Sequence, residues 1–386
     1  MILFVTIVVT IYSLLNYYIF IRAIQAIPSG SSLRIWFILG FWLVAISFVA
    51  ARFMERAYPC HFTEALTWTG NIWLAFLLFF FLIALLLDIT RLLNHFFHFL
   101  PAFIYADYVR TKQVILLAAV AYTTIMVVTG YINARNPRIK ELTLKVDKPG
   151  HGLKSLTIAM ASDIHLGTII RKAKARELVR MLNSAKPDLI LLAGDVVDED
   201  LAPVIKDNIG EALCELKAGI GVYAITGNHE YIGGAGPAVE YLEKHCIRML
   251  RDTAILVNGQ FYLAGRDDRD KLRFTGKPRK ELNEVLKDVD HSYPIILMDH
   301  QPFKLSAAAD LGVDLQLSGH THHGQIWPFN YITSAIYELS WGYKKIKNTH
   351  FYVSCGFGTW GPPVRLGNRP EVVVIHLIFN NDQIAP

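Results

Sequence analysis

Charged residues are scarce in this chain. Only 18% of its 386 residues are Asp, Glu, Lys or Arg, whereas a typical soluble domain carries about 25%. Intrinsic disorder is excluded, because it requires low hydrophobicity and 53% of these residues are hydrophobic. The 38 basic and 33 acidic side chains give a formal net charge of +5. That excess is small and scattered, so no nucleic-acid partner is expected.

Cysteine is scarce as well, and it forms no Cys-x-x-Cys pair. The four residues are Cys60, Cys214, Cys246 and Cys355. Neither a zinc knuckle nor a dense disulfide framework is therefore expected. Each cysteine is typical of a small buried apolar residue, and a single disulfide in an oxidising compartment stays open.

Charge is absent altogether from four long runs in the first third of the chain, at residues 2–21, 35–51, 65–87 and 113–134. Each run approaches the roughly 20 residues that cross a bilayer as a helix. Backbone groups in lipid must bond internally, which favours helices. We therefore expect residues 1–135 to form a bundle of four transmembrane helices. The protein is predicted to be a multi-pass protein of the cell inner (plasma) membrane, with the lipid bilayer as a partner.

Basic residues in the loops bear on orientation. The first loop carries two Arg, and the third carries three basic residues between positions 91 and 112. Cytoplasmic loops tend to hold the excess of Lys and Arg, which favours the exocytoplasmic side for the C-terminal part. Basic residues at positions 135, 138 and 140 count against this.

The rest of the chain has the pattern of an α/β domain. We expect residues 136–152 to be a short polar linker and residues 153–386 to form this domain. Apolar runs predict strands at 155–161, 189–193, 221–225, 294–298 and 314–317, with helices at 173–182 and about 204–216. In open α/β sheets, ligands collect beyond the carboxyl ends of the strands.

Each predicted strand ends in side chains that bind metal ions. The seven candidates are Asp163, His165, Asp195, Asn228, His300, His320 and His322. Carboxylate oxygen and imidazole nitrogen suit hard or borderline divalent ions. Asp163 and His165 are two residues apart, so on an extended strand end they would point the same way. Asp195 is a candidate to bridge two ions, and two ions about 4 Å apart suit in-line attack on phosphorus.

Five motifs resemble those of the calcineurin-like metallophosphoesterases. In the family's order they are Asp163-Ile164-His165, Gly194-Asp195-Val196-Val197-Asp198, Gly227-Asn228-His229-Glu230, the isolated His300 and Gly319-His320-Thr321-His322. The match covers roughly residues 153–380. Gly324-Gln325 and the segment 352–365 resemble the membrane-anchored bacterial branch with N-terminal transmembrane helices. His323 departs from that branch, in which glycine is commoner at this position.

The resemblance implies a fold, a cofactor and a ligand set. The fold is a four-layer α-β-β-α sandwich, and the cofactor is two divalent metal ions drawn from Mn, Fe, Zn or Mg. The first ion would be bound by Asp163, His165, Asp195 and His322, and the second by Asp195, Asn228, His300 and His320. Glu230 is expected to be a local hydrogen-bond acceptor and not a ligand.

The family pattern also implies two catalytic residues. His229 would stabilise the transition state or protonate the leaving oxygen, and Asp198 would orient it. Elementary chemistry agrees, because a histidine near two cations loses its proton easily. A carboxylate on the other ring nitrogen restores basicity and fixes the tautomer.

Residues near the end of the chain suggest the substrate. The segment 326–352 combines aromatic and basic residues, as found at the headgroup level of anionic membranes, although a packed loop fits it equally. Arg365 is a candidate phosphate contact, because a guanidinium matches phosphate oxygens two at a time, and His323 is a second candidate substrate-binding residue.

These observations together predict an enzyme. It would be a membrane-bound phosphohydrolase that cleaves a phosphoester or pyrophosphate bond of a lipid or lipid-linked substrate, such as a phospholipid, by metal-hydroxide attack. The alternative is a membrane-anchored sensor with a non-catalytic phosphoesterase-like domain. The sequence does not identify the substrate or the oligomeric state. It does not identify the metals either, and manganese is one of the candidates.

Overall fold

The computed structural model describes residues 2–58 and 60–381. The chain divides into two compact units. The first comprises the residues up to Ile132 together with Gly361–Val364. The second comprises Asn133–Trp360 and the residues from Arg365 onward.

The first unit is helical, and much of its apolar surface faces outward. Its helices are α1 (Ile2–Ile24), α2 (Leu33–Ala57), α3 (His61–Phe97), α4 (Phe103–Ala106) and α5 (Tyr108–Ala134). All but the short α4 are long and apolar enough to cross a bilayer. Leu43 is 73% exposed and Trp36 is 70% exposed, as expected for side chains that face lipid. The four long helices confirm the sequence prediction, and they identify a membrane protein.

Hydrogen bonds and aromatic contacts join the first three helices. The Tyr12 hydroxyl donates to the Ala45 carbonyl at 2.6 Å, and Trp73 Nε1 donates to Asn16 Oδ1 at 2.9 Å. Phe41 and Trp73 pack edge to face, with ring centroids 5.3 Å apart. Buried polar groups in hydrocarbon need internal partners, so these bonds fix α1 against α2 and α3.

Two six-stranded sheets form the framework of the second unit. In chain order the strands are β1 (Arg138–Val146), β2 (Ser155–Ala161), β3 (Leu189–Ala193), β4 (Gly221–Ile225), β5 (Arg248–Met249), β6 (Thr253–Val257), β7 (Phe261–Gly265), β8 (Ile295–Met298), β9 (Leu315–Ser318), β10 (Gly342–Ile346), β11 (Thr349–Val353) and β12 (Glu371–Phe379). The first sheet has the order β1-β12-β2-β3-β4-β5, and the second has the order β10-β11-β9-β8-β7-β6. Strands β2, β3 and β4 are parallel, as are β8 and β9. The carboxyl ends of parallel neighbours meet at one edge of a sheet.

Helices alternate with the strands along the chain, and several of them cover the outer faces of the two sheets. They are α6 (Lys172–Ser184), α7 (Ala202–Lys206), α8 (Asn228–Gly233), α9 (Ala235–Lys244), α10 (Lys271–Thr275), α11 (Leu282–Val285), α12 (Leu305–Asp310) and α13 (Phe329–Ile336), with 3₁₀ turns at Ile209–Glu215 and His322–Gly324. Leu178 and Leu242 pack under the helices on the first sheet, Leu191 and Ile296 pack between the sheets, and Leu305 packs under those on the second. This is the expected α-β-β-α sandwich.

Two elements differ from the sequence expectations. Most of the expected linker 136–152 is β1, which runs parallel to β12 from Arg138↔Glu371 to Val146↔Phe379. Its alternation of polar and apolar residues is that of an edge strand, with Leu144 and Val146 buried between the sheets. The single helix expected at about 204–216 is divided into α7 and a 3₁₀ turn, because Asn208 adopts a left-handed backbone conformation with φ 45°.

Candidate metal centre

All seven candidate metal ligands lie just beyond the carboxyl ends of five strands. Asp163 and His165 follow β2, Asp195 follows β3, Asn228 follows β4, His300 follows β8, and His320 and His322 follow β9. Buried apolar runs fix these strands in place, and the loops that follow them carry the polar side chains. The structure brings all seven into two adjoining clusters.

The first cluster consists of Asp163, His165 and His322. One ligand atom of each lies within 4.8 Å of the others. Nε2 of His165 is 3.1 Å from Nε2 of His322, and the latter is 3.5 Å from Asp163 Oδ1. Two imidazole nitrogens and a carboxylate oxygen converge here, which is the donor set of a divalent cation site.

The second cluster consists of Asp195, His300 and His320, which also lie within 4.8 Å of one another. His300 Nε2 is 3.1 Å from Asp195 Oδ2, and Asn228 Oδ1 is 2.7 Å from His320 Nδ1. The same Asp195 oxygen is 4.0 Å from His165 Nε2 in the first cluster. Asp195 therefore lies between the two clusters, where a bridging carboxylate is expected.

Unpartnered nitrogen atoms show that this site fits metal ions. His300 Nδ1 donates to the Ala193 carbonyl at 2.7 Å, so Nε2 is the nitrogen available to a metal ion. Burial lowers the pKa of His300, but the charge of Asp195 outweighs this and raises it well above its usual range, so a bound cation would take the place of the Nε2 proton. That Nε2 atom is buried and has no aligned hydrogen-bond partner in the described part of the chain. Burial and the neighbouring His300 lower the pKa of His320 to about 3, and burial holds the pKa of His322 well below its usual range. Both rings are therefore neutral, as metal ligands must be.

The ligand loops have a strained backbone, which the strand-end argument missed. Asp163 and His165 have φ angles of 49° and 52°, so they do not lie on an extended strand as expected. Asp195, His320 and His322 also have positive φ. Such conformations cost of the order of 1–3 kcal/mol each and cluster at functional sites, where the surrounding structure holds them.

Glycines allow the close approach of these loops. A Cβ atom at Gly227 would collide with the Asp195 carboxylate, and one at Gly319 would collide with the Asp163 carboxylate. A side chain at either position would displace a candidate ligand. The Gly-Asn-His and Gly-His motifs therefore need glycine for space.

Glu230 anchors the loops from beneath. Its carboxylate accepts hydrogen bonds from the backbone N–H groups of Asp195 at 3.1 Å, Val197 at 3.0 Å and Gly227 at 2.7 Å. Burial, followed by the charge of Asp195, raises its pKa. The prediction of a local hydrogen-bond acceptor is confirmed.

His229 and Asp198 form a hydrogen-bonded pair beside the clusters. His229 Nδ1 donates to Asp198 Oδ1 at 2.9 Å, so Nε2 is the ring nitrogen available for proton transfer. Burial lowers the pKa of His229, but the carboxylates of Asp195 and Asp198 outweigh this and raise it to about 9. Burial raises the pKa of Asp198, but the His165 ring, with Nδ1 3.7 Å from Asp198 Oδ1, and the hydrogen bond from His229 hold it well below its usual range. Bound cations act against the positive charge on His229.

Arg365 requires a correction. Its side chain is 0% exposed, and Nη1 donates to the Cys355 carbonyl and to Asn368 Oδ1, both at 2.7 Å. Nη2 lies 3.2 Å from His322 Nδ1. Arg365 therefore packs behind the His322 ring and ties three loops together, in place of the expected phosphate contact. Sequence could not show this, because the pattern around it does not distinguish a buried guanidinium from an exposed one.

His323, the other residue expected to bind substrate, is half-buried beside His322. Its Nδ1 lies 3.0 Å from Ser340 Oγ, and its ring lies 5.2 Å from that of Trp341. Burial lowers its pKa. The ring is thus neutral and close to the clusters, and its contact with substrate stays a prediction.

Sequence reasoning missed two supporting residues. Ser162 donates a short hydrogen bond to the Asp163 carboxylate, and its position directly before Asp163 was the available signal. Asp268 is fully buried and accepts a hydrogen bond from Gln301 Nε2 at 2.9 Å. It follows β7, more than 30 residues before His300 in the chain, so no local motif connects it with the site.

The fold and the clustered ligands define a class, the metal-dependent phosphoesterases with an α-β-β-α sandwich. A family profile described as Calcineurin-like phosphoesterase matches residues 156–324. A protein named Uncharacterized metallophosphoesterase from Aquifex aeolicus is 35% identical over 240 residues, covering 62% of this chain and 90% of that protein. The chain belongs to the calcineurin-like metallophosphoesterase family. Members of this family use two divalent metal ions, and the clustered Asp and His side chains fit them.

Two further relatives match the chain over a smaller share of their own length. An Uncharacterized metallophosphoesterase from Helicobacter pylori is 32% identical over 257 residues, covering 65% of this chain and 66% of that protein. A Transmembrane protein with metallophosphoesterase domain from Bos taurus is 32% identical over 286 residues, covering 69% of this chain and 64% of that protein. The chain thus matches about two thirds of the length of these two relatives.

Proposed function

We propose that this protein is a membrane-bound phosphohydrolase that cleaves a phosphoester or pyrophosphate bond of a lipid or lipid-linked substrate. Helix α13 is the observation that carries the lipid assignment. It begins at Phe329, shortly after the candidate ligand His322, and none of its eight residues is buried. An apolar helix of this kind is typical of a surface that enters the headgroup region.

The exposed side chains of α13 are large and apolar. Tyr331 is 66% exposed, Ile332 53% and Ile336 58%, and the preceding Trp327 is 44% exposed. Exposed apolar side chains that form a contiguous patch mark interaction with lipid or protein, and these four residues lie within ten positions of one another. The Lys residues of β10 lie a few residues further along the chain, and anionic headgroups attract such charges.

The helix is also tied closely to the metal loop. Phe329 N donates to the Ile326 carbonyl at 2.9 Å, and a Cβ atom at Gly324 would collide with the backbone of Phe329 and Asn330. A lipid headgroup that reaches α13 is thereby brought near His322 and His323. This supports a substrate that stays partly in the membrane while its phosphate is cleaved.

The chain's own residues then prepare the reaction. Two bound divalent ions supply Lewis acidity, which polarises a phosphorus–oxygen bond and activates water. Asp198 holds the Nδ1 proton of His229, so Nε2–H of the protonated ring faces the site and can donate to a phosphoryl or leaving oxygen. Asp163, His165, Asp195, Asn228, His300, His320 and His322 are proposed as the ligands, with His229 and Asp198 as the catalytic pair and His323 as a substrate contact.

We also propose that the phosphoesterase unit faces the exocytoplasmic side of the plasma membrane. Cys214 and Cys246 form a disulfide, with Cα atoms 5.1 Å apart, and disulfides persist in oxidising compartments. The excess of basic residues in the first and third loops supports the same orientation. The test is protease digestion of sealed cells, in which loss of the C-terminal unit is expected. Digestion only after the membrane is opened would overturn this orientation.

The lipid assignment is tested with the full-length protein in mixed micelles. Phosphatidic acid, phosphatidylglycerol and an isoprenyl diphosphate are compared with a soluble chromogenic phosphodiester. Ile332→Asp is expected to lower kcat/KM for the cleaved lipid about tenfold or more, because it places a charge where an apolar side chain enters lipid. Turnover of the soluble ester should not change.

Ile205→Asp is the matched control, since Ile205 in α7 is 57% exposed and should change neither activity. The lipid assignment is contradicted if a protein that cleaves the soluble ester cleaves none of the three lipids. It is also contradicted if Ile332→Asp and Ile205→Asp have equal effects on lipid cleavage.

A further inference from the structure

The helical unit contains a cavity of about 330 Å³ that is lined by α1, α2, α3 and α5. Its walls are largely aliphatic and aromatic, with Phe41, Trp73, Phe80 and Ile115 among them. A cavity of this kind falls in the range of small-molecule sites, roughly 300–1,000 Å³. Its apolar lining suits a hydrocarbon chain.

One end of the cavity is charged. Arg22, Asp88, Arg91 and Lys112 line it together. Asp88 forms ion pairs with two of these arginines: its Oδ2 lies 2.6 Å from Arg22 Nη2, and its Oδ1 lies 3.4 Å from Arg91 Nη1. Lys112 Nζ lies 4.3 Å from the centre of the Tyr108 ring and has no carboxylate partner within residues 2–58 and 60–381. Three cations thus face one carboxylate, and the excess is positive.

These charges lie near helix ends on one face of the unit. Arg22 is in the last turn of α1, Lys112 is in the first turns of α5, and Asp88 and Arg91 are in the C-terminal part of α3. Charged side chains at this position reach the headgroup region, while the apolar part of the cavity lies deeper. The cavity therefore has the polarity of a single lipid molecule, with a cationic mouth and an apolar interior.

We propose that this cavity binds an anionic phospholipid, with an acyl chain in the apolar part and the phosphate held by Arg22, Arg91 and Lys112. Positive charge in excess of Asp88 favours an anionic headgroup over a zwitterionic one, whose amine is repelled by the same cations. All the candidate metal ligands belong to the other unit. None of them lines the cavity, so the proposal concerns lipid binding and not cleavage.

The test is native mass spectrometry of the full-length protein with equal amounts of phosphatidylglycerol and phosphatidylcholine. We expect about tenfold greater retention of phosphatidylglycerol, and a loss of about tenfold in Lys112→Gln, which removes a charge-assisted hydrogen bond. Arg52→Gln is the matched control, because Arg52 in α2 is basic and does not line the cavity. Equal retention of both lipids, or equal effects of the two substitutions, would overturn the proposal.

A second variant tests the apolar part. Gly40 in α2 lines the cavity, and a Cβ atom there meets nothing within 4 Å. Gly40→Leu should fill the cavity without a clash and lower phosphatidylglycerol retention about tenfold, whereas the lipid-facing change Leu39→Phe should not. If Lys112→Gln lowers phosphatidylglycerol retention and Gly40→Leu does not, the headgroup binds without insertion of the acyl chain. That result would contradict binding in the cavity. Retention is measured without turnover, so the result does not depend on the phosphoesterase function.

Discussion

Asp195 contacts residues of both clusters of the metal centre. Its carboxylate lies near His165 and His300 and accepts a hydrogen bond from His229 N at 2.8 Å. Burial raises the pKa of Asp195, but the charges of His300 and His229 outweigh this and hold it well below its usual range. A carboxylate between two clusters that favours its ionised form suits two cations.

Replacement of that charge is expected to empty the centre. Asp195→Asn should lower turnover of a soluble phosphodiester at least about 100-fold. Mutation of residues that only hydrogen-bond to metal ligands already costs roughly 10- to 100-fold in metal affinity or activity. Metal content per chain, measured by elemental analysis, should fall with it. Asp310→Asn is the control, because Asp310 is exposed and forms a surface ion pair with Lys347. Full metal content in Asp195→Asn would contradict its bridging position.

Asp268 gives a prediction for stability against pH. Burial raises its pKa to about 7, whereas an unfolded chain has a value of about 3.9. Between these pH values the folded state binds a proton on Asp268 that the unfolded state lacks. This proton stabilises the folded state. The contribution is complete below pH 4 and is lost as pH rises through 7. The difference is up to about 4 kcal/mol.

Thermal unfolding of the metal-free protein at pH 5 and pH 8 measures this effect. Asp268→Asn cannot ionise, so its unfolding temperature should fall less between the two values than that of the unchanged protein. Other groups titrate in both proteins, and therefore the difference between them is the readout. Asp288→Asn, at a side chain that is 87% exposed, should behave like the unchanged protein. Equal falls in all three would show that Asp268 is not protonated in the fold.

The site residues show what sequence reveals at this scale. The convergence of the seven candidate ligands was predictable, because each follows an apolar strand run and the carboxyl ends of parallel strands meet at one edge of each sheet. The left-handed backbone at Asp163 was not predictable, because it depends on the neighbouring loop that carries Gly319. The buried environment of Arg365 was not predictable either, since it depends on carbonyl groups of other loops.

At the scale of elements, apolar composition decided which strands could be found. Strands β2, β3 and β4 have the bounds that the sequence predicts, because they are short, nearly continuous apolar runs with helices between them. Strand β1 was missed, since charged residues interrupt its apolar positions and only its pairing with β12 reveals its buried face. The antiparallel pairs β6–β7 and β10–β11 carry no candidate ligand and gave no comparable signal.

Strand β1 can be tested directly as part of the catalytic unit. Leu144→Asp should destabilise that unit by about 3 kcal/mol or more, because it removes a buried leucine and places a charge between the sheets. Lys140→Asp lies on an exposed position of the same strand and should have little effect. Thermal unfolding of the full chain, followed by loss of soluble-ester turnover, measures the difference. Equal unfolding temperatures for Leu144→Asp and Lys140→Asp would indicate a loose linker and would contradict a packed strand.

At the scale of the whole molecule, the two units carry different features. The helical unit supplies the membrane spans and a cavity with a cationic mouth, and the other unit supplies all the candidate metal ligands. Membrane attachment was predictable from the absence of charge in four long runs. The substrate was not, because the residues that recognise a headgroup form no short motif.

Metal stoichiometry together with turnover tests the two-ion centre most directly. The purified full-length protein should contain two divalent metal ions per chain and hydrolyse bis-p-nitrophenyl phosphate. Chelation should abolish this activity, and Mn²⁺ should restore it. A protein without bound metal that stays inert after reconstitution with manganese, iron or zinc would contradict the assignment.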